Sequence, residues 1–470
     1  MNMASGAAVR NDKLIVDSVH GDIHLRPIER TVVDTASFQR LRHLKQLGMA
    51  QVTYPNATHT RFAHSIGVLG IMEHIIRVAK SPLGLSDEQQ EDIRLAGLLH
   101  DVGHYPYSHL MEKVDKVQLA EEIVDGSSTI NASVVKYPNH EEIGRLIVTK
   151  QDDLIHALGG LERATRVADL FTRETTSDPQ LSKLIHSSMD MDRLDYLLRD
   201  AQAAGVPYGH IDLNYLLHNF RTSPSGMLGV DEKALTAVEH FLFARFFMHK
   251  TVYYHKTTFA IEEASRQLLR RVRDANKYNI PADGNAVKTI VSGTDLGTFT
   301  DAFVDRIIES AATDDDPVIS ALANCIRRRK PPKLLKEVCV LEPNQEQHHA
   351  GSTFRQNCRH QLRSLAEKHS LPLGRFLVCK TLPLTLEERG AQLTEEQARN
   401  LAPEEREELI KVFVRGDDEP VSVVNIRHSV LHICSNHFFQ SYRLYFVSAD
   451  GDPESLVHML KSDVANWDAT

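Results

Sequence analysis

Cysteine is scarce and scattered. The 470-residue chain has five, Cys325, Cys339, Cys358, Cys379 and Cys434. They are odd in number and form no C-x-x-C pair, which argues against a disulfide framework and against a zinc knuckle. No apolar run approaches the ~20 residues of a membrane helix. The start, "MNMASGAAVRNDK", has neither the basic n-region nor the long apolar h-region of a secretory signal, so a cytoplasmic location is expected. A basic excess is missing too: 54 Lys and Arg against 63 Asp and Glu leave a net charge of -9, which disfavours a dedicated nucleic-acid binder. Local basic patches exist, and one of them, "RRRKPPK" from Arg327 to Lys333, reads as a solvated face or loop before a phosphate site. There is no internal repeat or low-complexity tract.

What is present is ordinary globular material. With 42% hydrophobic and 25% charged residues the chain is not disordered, and its length suggests about two to three domains. Apolar residues at i, i+3, i+4 and i+7 mark helices in "FQRLRHLKQLG", "HSIGVLGIMEHIIRVAK", "EDIRLAGLLHDVG", "HEEIGRLIV", "MDRLDYLLRDAQAAG" and "AVEHFLFARFFMHKTVYYHKTTFAIEEASRQLLRRVRDA". Beyond residue 330 the pattern turns β-rich in "EVCVL", "RFLVCKTLPL", "HSVLHIC" and "YRLYFVS", around a charged helical stretch "TEEQARNLAPEEREELIKVF". The expected fold is mainly α. It comprises a flexible N-terminus (1–12), a helical catalytic lobe (13–280), a helical connector (281–330) and a smaller α+β C-terminal lobe (331–470).

The unusual stretch is "LAGLLHDVGHYPYSH", Leu95 to His109. A core helix needs its leucines but not His100, Asp101, His104 and His109. A metal, an anionic substrate or a satisfied polar cluster could each explain the grouping. Imidazole and carboxylate together suit divalent metals of intermediate hardness. Two further residues in helical patterns extend the set: His64 in "RFAHS" and Asp192 in "SSMDMDRLDYLLRD". Asp192, Tyr196 and Asp200 recur at i, i+4 and i+8, and so do Arg245, His249 and Tyr253, so each trio shares a helical face and reads as a pocket wall.

The order His64, His100-Asp101, Asp192 resembles the HD superfamily of metal-dependent phosphohydrolases. The runs "HGDIHLRPIERTVVDTASFQRLRHLKQLG", "YPNATHTRFAHSIGV", "LAGLLHDVGHYPYSH", "MDMDRLDYLLRDA" and "ARFFMHKTVYYHK" are similar to the catalytic core of the SAM-and-HD-domain dNTP triphosphohydrolases. The similarity covers roughly residues 13 to 275. Only a dozen residues precede it, so that family's SAM domain is expected to be absent.

The resemblance implies roles position by position. His64, His100, Asp101 and Asp192 match metal ligands, the ion being Mn, Fe, Zn or Mg. Arg61, Arg193, Arg245 and Tyr196 match residues that hold the triphosphate. Arg193 stands where the family has lysine, a fork in place of a point charge. Gln46 and Asp200 match contacts to the sugar 3′-hydroxyl, and Leu47 and Tyr253 match residues that exclude a 2′-hydroxyl. His104, His109 and His140 match catalytic histidines, Glu112 stands where the family has aspartate, and His249 matches a pocket residue near the α-phosphate. Lys13, Asp34, Gln39 and Arg42 match positions that recognise a GTP or dGTP activator at a subunit junction.

The implied activity is hydrolysis of a dNTP to a deoxynucleoside and inorganic triphosphate, by a homo-oligomer, either dimer or tetramer. Two rivals stay open. One is another HD phosphohydrolase acting on an alarmone, a cyclic nucleotide or a nucleoside monophosphate. The other is a nucleotide-gated binding protein that has lost catalysis.

Overall fold

Capping chemistry sets the ends of the helices that build the site. The structure, a computed structural model, describes residues 12–78, 83–126, 135–172, 178–343, 349–386, 410–434 and 437–468. Ser86 and Gln89 form a reciprocal capping box on the helix Asp87–Leu99. Asn139 and Asp190 begin His140–Lys150 and Met191–Ala204 by accepting the N–H groups of Glu142 and Arg193. The last helix stops at Gly205, whose φ of 69° is left-handed.

The fold is mainly α. A large core runs through Arg61–Val78, Asp87–Leu99, Met191–Ala204, Leu235–Met248 and Lys256–Asp274, burying Leu69, Leu98, Leu194, Phe241 and Leu268. A second, smaller core lies in the C-terminal part, where the helix His349–Lys368 covers a sheet with Phe354, Leu362, Phe376, Leu444 and Phe446. In that sheet the long strand His437–Phe446 lies between Lys333–Pro343 and Phe376–Lys380, antiparallel to both, with Leu384–Thr385 also paired to it.

The two parts are laced together. The antiparallel strands Phe220–Thr222 and Leu228–Asp231 continue into Lys411–Phe413, which pairs in parallel at Val230↔Val412, and then into Val421–Ser422. Residues far apart in sequence therefore close one sheet.

Several local expectations are corrected. The N-terminal lobe opens with a β-hairpin, Lys13–Asp17 and Gly21–Leu25. "FQRLRHLKQLG" is no continuous helix: Ala36–Gln39 is α, Arg40–His43 and Gly48–Val52 are 3₁₀ turns. Arg40 explains the break, because its buried guanidinium donates to the carbonyls of Val102, His104 and Phe299 at 3.1, 2.7 and 2.9 Å. "HSVLHIC" ends in a short helix, Leu431–Cys434, because Glu239 draws in the Ser429 hydroxyl and the Val430 N–H.

Most of "TEEQARNLAPEEREELIKVF" lies outside the described residues, and its end, Lys411–Phe413, is a strand. The long C-terminal helical run is also interrupted. After Leu235–Met248 the chain makes a π-turn, His249–Tyr253, closed by Tyr254 N–H donating to His249 O at 2.8 Å, before Lys256–Asp274 begins.

In the basic run, Arg327 and Arg328 are exposed and pair with Glu309 and Asp450, as a solvated face should. Among the described residues no helix is long and apolar enough to cross a membrane.

Candidate metal centre and substrate pocket

Four elements bring His64, His100, Asp101 and Asp192 together: the first turn of Arg61–Val78, the C-terminal end of Asp87–Leu99, the turn after it, and the first turn of Met191–Ala204. Ligand atoms of His64, His100 and Asp101 all lie within 4.8 Å of one another. The Asp192 Oδ1 is 2.9 Å from His64 Nε2 and 3.7 Å from His100 Nε2.

The donor chemistry fits a divalent cation. His64 Nδ1 donates to Asp195 at 2.7 Å, and His100 Nδ1 to the Gly97 carbonyl at 2.8 Å. Carbonyl and ionised carboxylate oxygens can only accept, so each ring carries a proton on Nδ1, which leaves Nε2 as the nitrogen that can offer a lone pair to a cation. Both Nε2 atoms are buried and lack a well-aligned hydrogen bond, and both face carboxylates, so the donor set suits a divalent cation. Burial alone would raise the Asp101 carboxyl, but Arg61, His100 and His104 override it and hold it well below the usual carboxylate range. The Asp192 carboxyl likewise stays depressed against burial because the His100 and His64 imidazoles stand beside it.

Close backbone approach makes this geometry available. A Cβ on Gly67 would stand 2.0 Å from Asp195 Oδ1, and one on Gly103 would stand 2.0 Å from the His140 carbonyl. Tyr107 and Ser108, at φ of 53° and 58°, are left-handed without being glycine, a strain that clusters at functional sites. They are held by Tyr107 N–H donating to Asp301 at 2.6 Å and Ser108 Oγ donating to the Lys45 carbonyl at 2.8 Å.

Beside the first group stands a second. His104, His109, Glu112 and His140 also place ligand atoms within 4.8 Å of one another. His109 Nδ1 donates to Glu112 Oε2 at 2.7 Å, while the His140 N–H and Nδ1 reach Oε1 at 3.2 and 3.1 Å. One carboxylate thus orients two imidazoles, and glutamate spans the gap. His104 stacks on His140 with ring centroids 4.2 Å apart and sets its Nε2 3.0 Å from Asp101. Burial and Arg61 push His104 well below its ordinary 6.5. The pocket surroundings and Lys113 lower His109 to about 4. Against burial, Glu112 raises His140.

The other expected residues line one neighbourhood. Arg61 Nη1 donates to Asp101 Oδ2 at 2.6 Å and Nε to Ser108 Oγ at 2.9 Å. Arg193 pairs with Asp190 at 3.0 Å and also donates to the Ser187 carbonyl. Burial and the Arg193 charge lower Arg245 to about 10. Burial, Arg245, Arg193 and Lys113 hold His249 near 3. Tyr253 OH donates to Asp200 Oδ2 at 2.6 Å, and its ring stands edge-on to Tyr196 and His249. Gln46 is buried with its Oε1 unpartnered, its N–H donating to the His59 carbonyl, and Leu47 is half-buried against the core.

The four activator positions have no contact with this group. Gln39 Nε2 donates to the Val33 carbonyl and its Oε1 accepts from Arg42, whose guanidinium lies over the Phe62 ring. Asp34 is exposed beside Arg30, and Lys13 is exposed in the hairpin.

Sequence reasoning missed several residues. Asp195 orients His64, and Arg199 and His20 bind that same carboxylate. The i, i+4 spacing of Asp195 and Arg199 was a readable helical ion-pair signal. His59 donates to Asp200 Oδ1 at 2.8 Å but lies in a loop, where no periodicity exposes it. Lys113, beside Glu112, carries the nearby charge that acts on His109 and His249.

Comparison with known proteins identifies the domains that carry these residues. A family model described as HD domain matches residues 61–200, and one described as HD associated region matches 211–371. The Bacillus subtilis protein YwfO, itself uncharacterized, is 32% identical over 266 residues, 56% of each chain. The Dictyostelium discoideum homologue of the deoxynucleoside triphosphate triphosphohydrolase SAMHD1 is 28% identical over 259 residues, 54% of this chain and 48% of its own. The match thus spans about half the length of these relatives. A Bacteroides thetaiotaomicron phosphohydrolase of known crystal structure shares the fold, with a TM-score of 0.65 at 23% identity over 92% of this chain and 99% of its own. The chain carries an HD domain followed by an HD-associated region, and in that core it is homologous to deoxynucleoside triphosphate triphosphohydrolases of the SAMHD1 type.

Proposed function

We propose that the chain is a metal-dependent deoxynucleoside triphosphate triphosphohydrolase, converting a dNTP and water to a deoxynucleoside and inorganic triphosphate. The observation that carries this reading is Asp200, fixed by Tyr253 at 2.6 Å and His59 at 2.8 Å, on the same helix face as Asp192. Eight residues of α-helix separate the two carboxylates by about 12 Å along the axis. One face therefore offers a sugar-hydroxyl acceptor at one end and a metal ligand at the other, with Tyr196 between.

His64, His100, Asp101 and Asp192 would hold a divalent cation, which would supply Lewis-acid chemistry and a water of lowered pKa. Arg61, Arg193, Arg245 and Tyr196 then neutralise and orient the phosphates. His109 is neutral at pH 7 in the free protein. A bound polyanion raises its pKa, so it gains the proton it delivers to the 5′-oxygen. Glu112 holds His109 and His140 in place for that transfer. Leu47 and Tyr253 leave a 2′-hydroxyl no room and no partner.

Regulation by GTP or dGTP at Lys13, Asp34, Gln39 and Arg42, with assembly of a homo-oligomer, belongs to the same proposal. It is supported by the matching residue types and by the exposure of Lys13, Asp34 and Arg42. The test is incubation of purified protein with single and mixed dNTPs and Mn²⁺ or Mg²⁺, followed by analysis of the phosphate product. Inorganic triphosphate supports the reading. Orthophosphate or pyrophosphate marks another HD phosphohydrolase.

A further inference from the structure

Asp195 is fully buried and touches no substrate position, yet it is the most heavily engaged carboxylate near the centre. Its Oδ2 accepts from His64 Nδ1 at 2.7 Å and from Arg199 Nε at 2.8 Å. Its Oδ1 accepts from His20 Nε2 at 2.6 Å and from Arg199 Nη2 at 2.9 Å. Arg199 in turn makes a bidentate pair with Asp17, Nη1 to Oδ2 at 2.9 Å and Nη2 to Oδ1 at 3.1 Å. Asp17 Oδ1 also accepts the N–H groups of Val19 and His20, both at 2.9 Å, and so shapes the hairpin turn that delivers His20. Gly67 has no side chain where Asp195 and Arg199 pass.

The side chains of Asp195, Arg199, Asp17 and His20 are 0, 4, 7 and 9% exposed. Burying two carboxylates and a guanidinium this deeply is costly unless they are paired and hydrogen-bonded, and here Arg199 bridges both carboxylates while His20 and His64 donate to Asp195. His64 links this network to the metal group, which its other nitrogen faces.

We propose that His20 and Asp17 of the N-terminal hairpin, acting through Arg199 and Asp195, are positioning residues for metal binding. The network fixes the His64 tautomer and ring plane, so that Nε2 presents a lone pair to the cation. Carboxylates behind a ligating imidazole raise its basicity and hold its orientation, and their loss typically weakens metal affinity about 10- to 100-fold. The N-terminal hairpin is then part of the metal centre although it contributes no ligand. The inference rests on His64 being a ligand and is independent of which phosphate ester is hydrolysed.

The experiment is titration of the full-length, metal-stripped protein with Mn²⁺ alone, with the free ion counted by electron paramagnetic resonance. His20→Ala is expected to weaken Mn²⁺ binding about tenfold and Asp195→Asn about a hundredfold, while His20→Gln, which keeps a donor, recovers most of the loss. Where Asp195→Asn does not fold, His20→Ala and Asp17→Asn decide the matter, since both leave the Asp195–His64 hydrogen bond its two partners. Wild-type affinity in the folded His20→Ala and Asp17→Asn proteins overturns the proposal while leaving the ligand set intact. A wild type that binds no Mn²⁺ overturns the ligand set and this inference with it.

Discussion

Arg61 Nη1 lies 2.6 Å from Asp101 Oδ2, so an arginine expected to hold substrate phosphate is bound in the free protein to a carboxylate of the metal group. Both residues are buried, and the contact joins phosphate binding to the metal centre. A cation and Arg61 draw on the same carboxylate. Arg61→Ala should therefore lower kcat/KM by about 10²- to 10³-fold, the usual cost of losing a charged transition-state donor, without reducing metal content. Steady-state rates and metal analysis on one preparation check both halves, and a variant depleted of metal would contradict this division of roles.

Asp192 Oδ1 lies 2.9 Å from the metal-facing nitrogen of His64 and stands at a helix N-terminus rather than in the core. Asp192→Asn, or His100→Ala combined with Asp101→Ala, should abolish both metal retention and hydrolysis while far-ultraviolet circular dichroism is unchanged. Full turnover in either folded, metal-free variant would remove the basis for a metal mechanism.

Two histidines are expected to make the fold acid-sensitive. Burial and the charges of Arg245, Arg193 and Lys113 hold His249 near 3, and the pocket and Lys113 hold His109 near 4, against an unfolded value of about 6.5. Below pH ~6.5 the unfolded chain binds protons that the native state refuses, so stability falls as the pH drops through that window and levels off only below the folded values. His249→Gln, which removes one such group, should flatten the slope of unfolding free energy by about 1.4 kcal/mol per pH unit between pH ~4.5 and ~5.5. Urea unfolding of the metal-free protein at several pH values measures it, and an unchanged slope would show that His249 is protonated like an exposed histidine.

Much of this site was legible because helices repeat. Asp192, Tyr196 and Asp200 share a face through simple 3.6-residue periodicity, and the His100-Asp101 turn follows a capped, strongly apolar helix. What periodicity could not reveal comes from loops and distant partners. His59 reaches Asp200 from an irregular segment. His20 reaches Asp195 from a hairpin turn 175 positions away, and Arg40 is drawn out of a helical pattern to clamp the carbonyls around His104. The strand-like "HSVLHIC" misled for a related reason, since contacts with Glu239 outweigh its β-branched residues. Tertiary hydrogen bonds override local preference at these places, and they are not written in any one window of sequence.

Selectivity for deoxyribose should reside in Leu47 and Tyr253. Leu47→Ala opens space beside the sugar and should raise GTP turnover relative to dGTP at least about tenfold, in line with the 1–3 kcal/mol that a filled apolar contact contributes. Tyr253→Phe removes the 2.6 Å hydrogen bond to Asp200 and should raise KM more than it lowers kcat. Equal GTP and dGTP rates in the wild type would contradict this assignment.

Activation would be read by mass as well as by rate. A nucleotide bound across a junction stabilises the assembled state, so GTP should increase both the light-scattering mass and the rate on dATP, and Asp34→Ala should lose both responses. Constant mass and rate in wild type and variant would mean that Asp34, Gln39 and Arg42 serve only local structure, as the Gln39–Arg42 hydrogen bond and the packing of Arg42 on Phe62 allow.

The bond that breaks distinguishes a triphosphohydrolase from every other phosphohydrolase. Phosphorus nuclear magnetic resonance of a dGTP reaction containing the purified protein and Mn²⁺, quenched with excess chelator, reads it directly. Cleavage between the 5′-oxygen and the α-phosphorus should produce inorganic triphosphate and deoxyguanosine in equal amounts, with triphosphate absent in Asp192→Asn. Release of pyrophosphate or orthophosphate as the first product, or no turnover by protein that demonstrably holds its metal, would contradict the account.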